Sequence, residues 1–88
     1  MATYIVTYDL NKEIKRPNIV GAIHEFGSWA KLSESSYAIN SDLNPEQVYQ
    51  RLLKHLDDND QLYVITLRKP YYGQGSQEVN DWLESSLF

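Results

Sequence analysis

Asp9 ends a run of β-branched and aromatic residues (Thr-Tyr-Ile-Val-Thr-Tyr, 3–8), where packing has no use for a charge. A carboxylate there can cap backbone amides of the following turn, the commoner outcome for the residue type. It can also offer a hard oxygen ligand to Mg²⁺ or Mn²⁺, ions typically held by one or two carboxylates plus water and phosphate. Lys12, Lys15 and Arg16 follow directly, so one loop carries an acid and cations that suit a phosphate, although a solvated basic loop reads the same way. Ser33, Ser35 and Ser36 bring hydroxyls that can bond a phosphate or simply satisfy a turn. No histidine lies near them, so nothing activates a serine nucleophile.

His24 and His55 fall on separate helical segments without ligand spacing, and the chain has no cysteine. Disulfides and thiolate metal sites are therefore excluded. Tyr4, Tyr8, Tyr37 and Tyr63 sit in strand patterns and read as packing residues. Tyr71 and Tyr72, beside Arg68 and Lys69, make a better exposed aromatic and basic contact surface. Gly73 and Gly75 lack the Gly-Lys-Ser/Thr ending of a phosphate loop.

The elements that must hold these residues follow from pattern. Residues 3–9 predict a buried strand. Residues 11–16 are polar loop, Pro17 suits a first helical turn, and Ile19, Val20, Ile23 and Phe26 share one helical face. Gly27 is placed to stop that helix in a left-handed conformation. Residues 28–40 read either as two short strands joined by a polar turn at 33–36 or as one bent strand. Asn44, Pro45 and Gln47 open a second helix over 45–56, with Val48, Leu52 and Leu56 along one side, widened by Tyr49 and Leu53. The acidic 57–60 segment ends it in a turn, and 61–67 predicts another buried strand. Val79, Trp82 and Leu83 make a short amphipathic turn or helix that must dock elsewhere, with Leu87 and Phe88 as companions.

The order is β-α-β-(β)-α-β plus a C-terminal appendage, within one domain of 88 residues. Short connections and right-handed crossovers fold it into an antiparallel sheet with both helices on one face, an α+β, ferredoxin-like sandwich. The strands at 3–9 and 61–67 are expected at its centre. A sheet covered on one side leaves an apolar face, which predicts a homodimer.

The formal net charge is −4, and its excess lies in residues 55–88, where Arg68 and Lys69 face Asp57, Asp58, Asp60, Glu78, Asp81 and Glu84. That balance argues against coating nucleic acid by charge alone, but not against a local basic site. No run approaches the roughly 18 apolar residues of a membrane span, and Met1 leads straight into a strand-like segment. A cytoplasmic protein is expected.

The run "YIVTYDLNK", then "GSWAKLSESSYAI", then "DQLYVITL" with a late Gly and "WL", resembles SinR-like members of the CRISPR-associated ferredoxin-like nuclease family, related to VapD-type ribonucleases. The likeness spans residues 3–83. It implies a homodimer in which Asp9 pairs with its twofold mate to bind Mg²⁺ or Mn²⁺. Lys15 and Arg16 match the basic positions opening the first helix, and Ser35 and Tyr37 match the small-polar and aromatic pair of the second strand region. The chain departs from the pattern in lacking a dense arginine run after the first strand and in its acidity. The expectation is a metal-dependent endonuclease on RNA or DNA, with Asp9 and Ser35 catalytic and Lys15, Arg16 and Tyr37 at the substrate. The alternative is a non-catalytic homodimeric interaction module of the same fold, with Asp9 a turn cap.

Overall fold

A computed structural model describes residues 1–88. β1 (Ala2–Asp9) leads through a single 3₁₀ turn at Glu13–Lys15 into α1 (Arg16–His24). A hairpin of β2 (Trp29–Ser33) and β3 (Ser36–Ser41) precedes α2 (Pro45–Leu53), β4 (Gln61–Thr66) and α3 (Gln77–Ser86). The four strands form one antiparallel sheet in the order β2-β3-β1-β4. No helix is long and apolar enough to cross a membrane.

Alternation along β1 divides the sheet into two faces. Tyr4, Val6 and Tyr8 point with Tyr37, Ile39 and Leu62 toward α1 and α2, meeting Ile19, Ile23, Val48 and Leu52 in one core. Thr3, Ile5 and Thr7 point the other way. Onto that second face α3 docks: Thr3 Oγ1 donates to the Ser86 carbonyl (3.2 Å) and Asn40 Nδ2 to Ser86 Oγ (3.3 Å). Trp82 Nε1 donates to Ser28 Oγ (3.0 Å), tying α3 to the entry of β2. The second face is thus covered at one end by the chain's own C-terminal helix, and only its remainder is open.

The 28–40 segment resolves as two strands joined by a turn, one of the two arrangements its pattern allows, with a bulge between Lys31 and Ser33 that shifts the alternation and hides a clean period of two. Two other elements differ from expectation for local reasons. The second helix stops at Leu53, because His55 and Leu56 donate back three residues, to Leu52 and Leu53, in a tightened last turn. The strand at 61–66 lies beside β1 but at the sheet edge, not at its centre. Its uncharged sequence reads as buried on both sides, yet only Leu62 and Val64 face the core, while Tyr63 and Ile65 are 63% and 53% exposed. Gly27 does adopt the left-handed conformation expected of it, with φ 98°.

Candidate functional site

The C-terminal end of β1, the β2–β3 turn, the start of α1 and the loop after α2 gather at one end of the molecule. The register enforces this: Asp9 pairs with Gln61 at the start of β4, and Thr7 with Ser36 at the start of β3. The Tyr8 amide donates to the Ser35 carbonyl (2.9 Å), which brings the serine turn against the end of β1.

Arg16 is the hinge of this cluster. Its Nε and Nη2 grip both Glu13 oxygens (2.8 and 3.0 Å), Nη1 donates to the Glu34 carbonyl, and the guanidinium stacks 5.7 Å over the Tyr8 ring. The Tyr8 hydroxyl donates to the same Glu34 carbonyl (3.1 Å). The Glu13 carboxylate pushes the Arg16 pKa up, and the Arg16 hydrogen bonds hold the Glu13 carboxyl down. Burial raises the Tyr8 phenol above its usual value, against the opposing pull of Arg16.

Lys15 turns the other way. Its Nζ bonds Asp57 and, at 2.8 Å, Asp60. The Asp60 side chain is fully shielded, with 0% exposure, and also accepts from the amides of Asn11 (2.7 Å) and Asp57 (2.9 Å). Lys15 foremost, then those two amides, holds its carboxyl down to about 2. The Lys15 ammonium is raised in turn by Asp57 and Asp60. One lysine and one aspartate therefore lock the β1–α1 loop to the α2–β4 loop.

Asp9 itself is exposed, and its carboxylate makes no hydrogen bond or ion pair within the chain. The amide of the turn that it was placed to cap, Asn11, is taken by Asp60 instead. Asp9 alternates with Thr7 and Ile5 and so belongs to the second face of the sheet, whereas Arg16 sits over Tyr8 on the first. Ser35 lies in the hairpin turn, its amide donating to Ser33 Oγ (3.2 Å). Tyr37 is 4% exposed and packs edge-on against His24 and Trp29, which stack on each other at 4.0 Å. Of the residues singled out from sequence, Arg16 and Ser35 come together at the hairpin turn. Tyr37 is in the core, and Lys15 is turned onto the acidic loop.

Asp57 and Asp60 are the residues that sequence reasoning passed over. They read as a helix-ending turn, and the missed signal is an Asp-Asp-Asn-Asp run in a chain with three cations packed between 12 and 16. No group of three or more His, Asp or Glu side chains converges within the chain, so Asp9 supplies one carboxylate per copy. Set against known proteins, the chain matches no family and no curated protein.

Proposed function

We propose that this chain is a ferredoxin-like, homodimeric cytoplasmic protein of metal-dependent phosphodiester chemistry on RNA or DNA, with Asp9 as its acidic centre. The fold reading is supported by the β-α-β-β-α-β order with sheet order β2-β3-β1-β4, in which each helix carries the chain across one intervening strand. The observation that carries the functional reading is the state of Asp9: a carboxylate at the end of a central strand, solvent-facing and with all its lone pairs free.

That state fits a hard divalent cation, which takes oxygen donors and retains water. One carboxylate per chain makes a second copy necessary to the reading, with Asp9 and its twofold mate holding Mg²⁺ or Mn²⁺. When bound, such an ion supplies an activated water and offsets charge building on the phosphate. Ser35, in the turn against β1, is available to hydrogen-bond a phosphate oxygen. Arg16 fixes that turn through the Glu34 carbonyl, and serves the substrate only if a phosphate displaces Glu13 from its fork. Lys15 reaches a substrate only by leaving Asp60, and Tyr37 only by leaving the core.

One observation favours a second reading, the non-catalytic homodimeric module. Lys15 and Arg16 are neutralised inside the chain, which leaves Lys12 as the one unpaired cation of the loop beside Asp9.

Cleavage assays separate the two. The nuclease reading expects RNA or DNA cleavage with Mg²⁺ or Mn²⁺, silenced by chelator and abolished in Asp9→Asn, which keeps shape but removes the charge. Cleavage that survives Asp9→Asn at the wild-type rate sinks the assignment of Asp9. No cleavage by either form leaves the module.

A further inference from the structure

Between α3, residues 67–76 and the second face of the sheet lies a cleft of about 500 Å³. Its apolar walls come from Ile5 on β1, Leu32 on β2 and Val79 and Leu83 on α3. Among the residues lining it, only Lys31 and Arg68 are charged, and Lys31 pairs with Tyr37 across β2 and β3, so its side chain belongs to the helix-covered face and Arg68 is the cation left to the cleft. Arg68 has no hydrogen-bond or ion-pair partner within the chain, in contrast to its neighbour Lys69, which is held by Glu84 at 2.9 Å. Lys31 is paired only with the exposed Glu34, at 3.3 Å.

Two tyrosines frame the opening. Tyr71 is pinned, its hydroxyl donating to Glu84 Oε2 (2.9 Å), so one wall is fixed by the same glutamate that holds Lys69. Tyr72 is 100% exposed and touches nothing that would explain an aromatic ring there. Gln74 and Asn80 add amides to the lining, and the Gln74 side chain is unbonded within the chain. A concave, mostly apolar site of this volume falls within the range of about 300–1,000 Å³ that small ligands occupy.

We infer that this cleft is a nucleotide site, in which a base stacks against Tyr72 over the apolar walls and its phosphate pairs with Arg68. Aromatic side chains stack on bases without regard to sequence, and a guanidinium matches a phosphate bidentately. The occupant is a free mononucleotide, because the cleft offers a single unpaired cationic side chain, Arg68, enough for one phosphate group. No glycine loop is required, since a side chain rather than backbone amides meets the anion. Asp9 does not line the cleft, so the site stands apart from the metal reading and survives its failure.

Titration of the full-length protein in chelator, followed by amide chemical shifts and calorimetry, tests it with adenosine monophosphate, adenosine and inorganic phosphate. The monophosphate should bind with shifts confined to residues 5, 31–32 and 67–83, and adenosine should bind about tenfold more weakly for want of the charged hydrogen bonds. Arg68→Ala should bring the monophosphate down to the level of adenosine. Tyr72→Ala, at a fully exposed position with no part in folding, should weaken both. Asp9→Asn should leave the monophosphate affinity of the cleft where it is, since Asp9 is not among its lining residues. No binding of the monophosphate at millimolar concentration, equal affinity for adenosine, or shifts centred on the Lys15–Arg16 loop would overturn the site. A short single strand binding the same residues more than about tenfold tighter than the monophosphate would overturn the free-nucleotide assignment, since stacking of successive bases would then carry the affinity.

Discussion

Asp60 is the side chain whose chemistry is most tightly specified by its surroundings, and the consequences can be read against pH. Its carboxyl is held down to about 2 by Lys15 and two backbone amides, below the ordinary aspartate value of about 3.9. A group whose folded-state pKa is depressed contributes stability that is complete above its unfolded value and withdrawn as the pH falls through the folded one. The Asp60 contribution is therefore intact above about pH 4 and is lost between roughly pH 4 and 2. Asp57, lowered foremost by the same lysine, titrates in the same direction. Thermal unfolding followed by circular dichroism should show Asp60→Asn with a lower Tm than the wild type at pH 7, and the two curves should converge at pH 2. A constant gap across that range would mean that Asp60 acts through shape and amide bonding, not charge. Lys15, with a raised pKa, carries the opposite sign, and its contribution fades only as the pH rises above its ordinary value near 10.5.

The helices show where local sequence suffices and where it does not. At the start of α2 every signal agrees: Asn44 Oδ1 accepts from the Gln47 amide (2.8 Å), and Gln47 Oε1 accepts from the Asn44 amide (2.9 Å), with Pro45 in the first turn. That capping box was legible because capping is a matter of four adjacent residues. Asn44→Ala should cost about 1 kcal/mol in urea unfolding, and Asn44→Ser should recover most of it. The width of the buried face was less legible. Leu53 and Tyr49 fall on the apolar side by period, yet are 39% and 36% exposed, because the sheet they would need ends at β4. Leu52→Ala should therefore cost about 3 kcal/mol and Leu53→Ala under about 1 kcal/mol, a contrast that periodicity alone does not give. The candidate site was legible only as its parts. Asp9 stood out because a charge ended an apolar strand, but that Lys15 would bond to Asp60 rather than remain beside Asp9 depends on loops 45 residues apart. The cleft under α3 was hidden for the same reason, since its walls come from β1, β2 and the last third of the chain.

At the scale of the molecule, two features of β4 bear on association. Its outer edge is unpaired, and Gln-Leu-Tyr-Val-Ile-Thr carries neither the charge nor the proline with which isolated edge strands are usually protected. Tyr63 and Ile65 stand exposed on the part of the second face that α3 does not reach, and Asp9 belongs to that same face. A second copy laid against this region would cover the two apolar side chains and bring the Asp9 carboxylates toward one another, which is what the proposed metal reading needs. Sedimentation at micromolar concentration should then give a species of twice the 10.2 kDa chain mass. Tyr63→Lys places a charge on the exposed face opposite Thr7, outside the core and the lining of the cleft, so it should yield a folded monomer that retains the wild-type circular dichroism spectrum. The same variant should lose any metal-dependent cleavage, because a lone Asp9 supplies a single carboxylate, while nucleotide binding at the cleft should persist. A wild-type chain that sediments only at 10.2 kDa removes the dimer, and with it the shared-carboxylate chemistry, but leaves the cleft as a site that one copy builds alone.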